Sequence, residues 1–466
     1  MGVWNWLFGR GDLESAAATQ VWVWGFGSRK HRQVLDGVPP DDAVRKVAVG
    51  QAHVVGLTAA GNMYVQSIPK EASGSDLGTS TPACRKVDIG RTVVDVAVTG
   101  MDPQNEQIVA VLKNGSVVQH SLSDKSKQGD ASVAASQTHQ TLRGALQSIH
   151  AVQVNCSRSH CVSVGSKGQL VSWSNVDKEE AVKALYPSLG RGALSEKSPP
   201  VSEPQLMELP AGIKAERASC GLEHTGIVDQ HGALWMCGRN TWGQLARPPW
   251  NAAPDLEDSP EMQKHFSKSL AQWYTFENYR APSAALMSKS SRVNLDFVPR
   301  QVEHPFLRSA VVDVALGDHH TLVMRADGSV VSFGLNQWGA CAHHNYTHIV
   351  EPALIERLDE GAESTTSSAS VAERAFTEVR PVHIAASGNH SLVWGKISPG
   401  LFDGIWSFGE NRDFELGIAT RQHACVPQRI RADWTGARVL SMVAGLRGGV
   451  AVLERRNNEQ NTKTNQ

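Results

Sequence analysis

The side chains of this 466-residue chain best suited to chemistry are histidines, and they recur in one setting. His53, His224 and His320 each follow a glycine by three residues and precede another by eight: Gly50/His53/Gly61, Gly221/His224/Gly232 and Gly317/His320/Gly328. His160 and His390 hold the same place after Ser157 and Ser387, and a further copy puts Gln107 where the histidine would stand, eight residues before Gly115. Imidazoles ligate metals or move protons near neutral pH, but only when they converge. One histidine per repeat disperses them, so each is expected to hydrogen-bond backbone groups within its own repeat. A denser group, Cys341, His343, His344 and His348, has no common zinc spacing, and no metal is expected there.

Other reactive signatures are missing from the sequence. There is no nucleophile elbow, P-loop or paired-carboxylate motif, and Gly25-Phe26-Gly27 lacks the third glycine and following helix of a dinucleotide fingerprint. No cofactor and no substrate-transforming chemistry are expected. The seven cysteines are odd in number, form no C-x-x-C pair and mostly sit in apolar runs, which reads as reduced, buried thiols.

The elements that must position these residues are short strands. Each repeat runs through a β-branched stretch (VRKVAVG, VVDVAVT, IHAVQVN, VVDVALG, PVHIAAS), the histidine turn, an apolar strand, a turn at the second glycine, and a strand rich in aromatics. Period-2 alternation holds throughout. Three repeats continue as G-x-N, at Gly238/Asn240, Gly334/Asn336 and Gly409/Asn411, and two add Trp242-Gly243 and Trp338-Gly339. Anchors at 53, 107, 160, 224, 320, 390 and 448 count seven units of roughly 50 to 60 residues with insertions.

The segments RASCGLEHTGIVDQHGALWMCGRNTWGQLA and VVDVALGDHHTLVMRADGSVVSFGLNQWGACA resemble repeats of the regulator of chromosome condensation family, and the resemblance extends over about residues 21–453. It implies an all-β chain folded as a seven-bladed β-propeller of four-stranded antiparallel blades. The last unit lacks an aromatic strand and the first is preceded by an orphan one, VWVWGFGS, so residues 21–26 are expected to close the ring and remove the open edges. In the best-known family member one face drives guanine-nucleotide exchange on a small GTPase, with an acid of a G-D-x-H turn and a histidine of another. Carried onto this chain, the resemblance implies a candidate exchange face of Asp318, His320 and His224. The family also contains the plant ultraviolet-B photoreceptor, which uses turn tryptophans. The turns here read GQAH, GLEH and GDHH, so Trp22, Trp24, Trp173, Trp235 and Trp406 are expected to pack blades.

The remaining features point to docking. Lys+Arg 45 against Asp+Glu 46 gives a net charge of −1, with no electrostatic footprint for nucleic acid. No apolar run approaches the ~18 residues of a membrane span. The first twenty residues resemble neither a secretory nor a transit signal, so an intracellular protein is expected, cytoplasmic or organellar (for example mitochondrial) rather than nuclear. Residues 1–20 are expected to form an aromatic hook bearing Trp4, Leu7 and Phe8, residues 21–455 the propeller, and 456–466 a disordered tail. Within the propeller an insertion at 246–310 is expected to carry a helix over 260–276 with Met262, Phe266, Leu270 and Trp273 on one face. A shorter helix is expected over 178–186, and residues 121–141 and 359–375 are expected to be loops or disordered. Two functions follow: a protein–protein interaction module within a multi-subunit assembly, or an exchange factor for a small GTPase.

Overall fold

In the computed structural model the described residues are 19–68, 83–122, 139–176, 186–192, 198–246, 295–355, 379–397, 402–431 and 437–454. They form seven four-stranded antiparallel sheets, the blades of a propeller. Blades 1 to 6 follow in chain order, with inner strands Val44–Val49, Val93–Thr99, Ala151–Cys156, Ala215–Cys220, Val311–Leu316 and Val379–Ser387. Blade 7 has Arg438–Gly445 innermost, then Gly448–Glu454, and is completed by strands from the other end of the chain.

That closure uses two N-terminal strands where the sequence suggested one. Thr19–Gly25 pairs along its whole length with Gly448–Glu454, from Thr19↔Glu454 to Gly25↔Gly448. Ser28–Val34 then adds as the outer strand. Phe26 belongs to the turn between them, at φ 54°. The alternation in VWVWG explains why this strand seals the ring. Val21 and Val23 pack toward blade 1 with Val44, Val47 and Val54, while Trp22 and Trp24 pack toward blade 6 with Leu392 and Ile405.

The core is correspondingly annular. Among the described residues seven apolar clusters occur, one between each pair of neighbouring blades. Every blade therefore buries both faces, which is why its middle strands read as nearly continuous apolar runs. Trp24, Trp173, Trp235 and Trp406 are all buried, as expected of packing residues.

Three expectations change. Within 121–141, expected to be loop or disordered, His139–Thr141 is the outer strand of blade 2. Leu295–Gln301, inside the span assigned to the 246–310 insertion, is the outer strand of blade 4 and pairs with Leu234–Arg239. Cys156 and Cys161, read as free thiols, form a disulfide across the first hairpin of blade 3, because the tight turn makes them direct cross-strand partners. The other five cysteines lie outside this disulfide. Trp4, Leu7, Phe8, Met262, Phe266, Leu270 and Trp273, the 260–276 helix and the tail lie outside the described residues, as does all of the 178–186 segment but Tyr186. No helix among the described residues is long and apolar enough to cross a membrane.

Candidate interaction face at the repeat turns

The histidine turns are two-residue connections between the inner and second strands. Each closes with a backbone bond, Gly221 N–H to His224 O at 2.9 Å and Gly317 N–H to His320 O at 3.0 Å. Glycine is needed at the first position because a Cβ on Gly221 or Gly317 would overlap the imidazole of His224 or His320. The ring therefore lies flat on the start of its own turn and points out of its blade.

What it meets corrects the expected partner. His160 Nε2 bonds Thr225 Oγ1 at 2.7 Å, His224 Nε2 bonds Thr321 Oγ1 at 3.0 Å, and His320 Nε2 bonds Ser391 Oγ at 2.8 Å. In each case the hydroxyl belongs to the next blade, one residue after that blade's own histidine. The hydroxyls in turn donate to the carbonyls of Ser188, Gln244 and Ala340 at 2.7, 3.0 and 2.9 Å. Each hydroxyl has one proton and spends it on a carbonyl, so each histidine donates from Nε2. The histidines are thus inter-blade rivets at three consecutive interfaces, 3/4, 4/5 and 5/6.

Burial fixes their protonation. His160 and His320 are held down to about 3, His390 to about 4 and His224 well below its ordinary value, all chiefly by desolvation. They are neutral imidazoles at neutral pH. Interface 1/2 differs because Ile108 replaces the hydroxyl residue. There Glu106, 1% exposed, fills the gap, accepting from the N–H groups of Gln51 and Ala52 and bonding His53 Nδ1 at 2.7 Å.

The candidate exchange residues are therefore not a set. His224 and His320 are at most 1% exposed and direct Nε2 to the next blade. Asp318 does reach the turn face, with its carboxylate paired to Arg158 of blade 3 and its N–H donating to Gly388 O of blade 6 at 2.8 Å. Around it lie further charged groups. Glu223 sits 3.6 Å from Arg239 and 3.4 Å from His319, Glu410 accepts from Asn389 at 2.9 Å, and Asp413 pairs with Arg447 at 2.8 Å. Burial pushes Glu415 up to about 7, with Glu410 and Asp413 adding to it.

The G-x-N asparagines shape the loops at the rim of this face. Gly238, Gly334 and Gly409 adopt φ of 115°, 109° and 113° and pass against the preceding histidine turn, where a Cβ would strike Glu223, His319 or Asn389. Asn240, Asn336 and Asn411 then accept from the N–H of Leu245, Cys341 and Leu416 at 2.9, 2.8 and 3.1 Å. These loops hold Trp242 edge-on to His348, and Trp338 against His423 with Arg412 over its ring. The Cys341 group disperses accordingly: Cys341 is buried, His343 bonds Ser332 at 2.8 Å and His348 faces Trp242. No group of three metal-ligating side chains occurs among the described residues.

A further feature was missed in the sequence. Every inner strand has a bulge at its start, and the residue after it lines the axial channel, giving a belt of Lys46, Asp95, Gln153, Arg217, Asp313, His383 and Ser441. Asp95 pairs with Lys46 of blade 1 and accepts from Val154 N–H of blade 3 at 2.9 Å. Asp313 sits 3.5 Å from Arg217 of blade 4 and 2.6 Å from His383 of blade 6. These partners hold the Asp313 carboxyl below its usual range although burial opposes them. Each aspartate clamps three blades. The signal was present as an acid in the apolar runs VVDVAVT and VVDVALG.

Comparison with known proteins agrees with this geometry. The Regulator of chromosome condensation (RCC1) repeat matches residues 311–339. Among curated proteins, the human probable E3 ubiquitin-protein ligase HERC6 is 28% identical over 46% of this chain and 21% of its own length. Human RCC1 domain-containing protein 1 is 24% identical over 45% of this chain and 50% of its length. The matched region thus spans half or less of these relatives. Among solved structures, yeast RCC1 (Prp20) bound to Kap60 superposes with a TM-score of 0.63 at 16% identity, covering 96% of this chain and 92% of that one. Human WBSCR16 gives 0.61 at 14% identity, covering 95% and 100%. The seven four-stranded blades and these superpositions show a seven-bladed β-propeller fold, and the match over residues 311–339 shows similarity to the regulator of chromosome condensation (RCC1) repeat within it.

Proposed function

We propose that this propeller is a protein–protein interaction module, serving as a scaffold or subunit of a larger assembly. One observation carries the reading: four of the five repeat histidines are buried, neutral imidazoles, and the three at interfaces 3/4 to 5/6 hold the ring together. What stays accessible on the turn face is paired charge and the half-buried Trp242 and Trp338, a surface suited to recognition. The hook residues Trp4, Leu7 and Phe8 and the insertion residues Met262, Phe266, Leu270 and Trp273 are proposed as additional docking elements on their sequence pattern. The test is affinity capture of the full chain from its native cells. Recovery of a stoichiometric multi-protein complex, lost when residues 247–294 or 1–18 are deleted, is the expected result.

A second reading has its own observation. Asp318 lies on the turn face in the one G-D-x-H turn, and a solved relative, Prp20p of Saccharomyces cerevisiae, is described by its binding to Gsp1p and histones. Exchange on a small GTPase would require Arg158 to release Asp318 so that the acid could meet a phosphate or magnesium site. Capture of a nucleotide-free GTPase, with release slowed by Asp318→Ala, would favour this reading over the first.

A further inference from the structure

The axial channel holds a charge surplus that the rest of the chain lacks. It encloses about 800 Å³, and among the described residues seven of its lining residues are Lys or Arg against four Asp or Glu, on a chain of net charge −1. All four carboxylates are engaged. Asp95 and Asp313 are held in the belt, Asp318 by Arg158, and Glu106 by His53 and its turn. Lys46, Arg158 and Arg217 are used in those pairs, which leaves Arg45, Lys113, Lys396 and Arg438.

These four lie together at one end. Arg45 and Arg438 stand at the start of their inner strands, Lys396 near the end of a second strand and Lys113 in the turn that follows another. All therefore line the mouth opposite the histidine turns, on the adjoining blades 6, 7, 1 and 2. Among the described residues the carboxylates beside these cations are few. Arg45 and Arg438 share the single carboxylate of Glu454, at 3.9 and 3.7 Å, and their side chains are 45% and 52% exposed. Lys396 stands opposite Asp403 in the sheet register. Lys113 pairs with no carboxylate among the described residues, and the four acids in the described lining are those already engaged elsewhere in the channel.

We propose that this mouth binds a compact multivalent anion of the polyphosphate class. Guanidinium and ammonium groups converging on a cavity of this size suit a small ligand carrying several phosphate charges. A soluble ligand fits better than a membrane headgroup because the cations line the wall of a channel.

The test is titration calorimetry of the full chain with inorganic tripolyphosphate at about 50 and 300 mM salt, since a charge-driven site weakens with ionic strength. Saturable binding is expected, weakened at least about tenfold by Lys113→Glu with Arg438→Glu. Arg308→Glu, an exposed change of equal charge away from the channel, should leave it unchanged. Melting curves establish that the variants fold; if the double variant does not, Lys113→Gln alone, in its exposed turn, should weaken binding measurably. Absence of binding at low salt, or equal weakening by Arg308→Glu, overturns the proposal. Retention on anionic-lipid vesicles without binding of free tripolyphosphate overturns it too.

Discussion

Acid should unfold this propeller well above the pH at which carboxylates titrate. His160, His320 and His390 are neutral in the fold down to about pH 4 or lower, and burial holds His224 well below its ordinary value too, whereas in an unfolded chain each titrates near 6.5. Their folded values are depressed, so the fold binds fewer protons than the unfolded chain, and its full stability is present only above about pH 6.5. Stability is then lost as pH falls toward the folded values. At pH 5 each of His160, His320 and His390 costs about 2 kcal/mol, about 6 for the three, and His224 adds in the same direction. Glu415 works the other way: its folded value near 7 lies above the unfolded 4.5, so its protonation returns about 2 kcal/mol over the same interval. The net loss of at least about 4 kcal/mol between pH 7.5 and 5 is a large part of the stability of many domains. Urea titrations followed by tryptophan fluorescence at half-unit pH steps measure it directly. Glu415→Gln should steepen the loss by removing the offset. A stability that is flat to within about 1 kcal/mol from pH 7.5 to 5 would refute the burial argument.

Three other outcomes are expected. Deleting residues 1–28 removes the strand that pairs with Gly448–Glu454 and should abolish the cooperative melt, which circular dichroism would detect. Gly317→Ala forces a methyl into the His320 ring and should cost roughly 3 kcal/mol or more. Gly212→Ala, at φ 85° in open space, should cost only about 1; equal losses in chemical denaturation would show that the close approach does not matter. Asp318→Ala breaks a partly exposed pair with Arg158 and should shift stability by less than about 1 kcal/mol, so a larger loss would make the pair structural rather than a surface feature.

The parts of this fold that were readable are those where sterics act within one repeat. Gly221 and Gly317 are glycine because the histidine three residues on lies against them, and that local constraint made the seven units countable. The orphan VWVWG could be read as a closing strand because its two alternating faces each need a blade. Ser28–Val34, by contrast, is an outer strand with five of its seven residues charged or polar between two buried ends, and leaves no apolar pattern. Leu295–Gln301 hides because Pro299 and Arg300 cut short its mostly apolar stretch Leu295–Val298 on an edge strand. The rivets escaped because their acceptors, Thr225, Thr321 and Ser391, lie 65 to 97 residues away in the next blade. The recurrent hydroxyl just after each histidine was nonetheless a usable clue. The belt escaped because one bulge per strand decides which side chain turns inward, and bulges leave no compositional mark.

The seventh blade also imposes a schedule on synthesis. Its outer half, Thr19–Val34, leaves the ribosome roughly 400 residues before its inner half, Arg438–Glu454, a delay of about 20 to 80 s at ordinary elongation rates. Throughout that wait the nascent chain carries an aromatic strand with one edge unsatisfied and both faces bare, and blade 1 has no neighbour on that side. The interval is when this polypeptide is most exposed to aggregation or to capture by a chaperone, and it ends only when translation reaches the last strand.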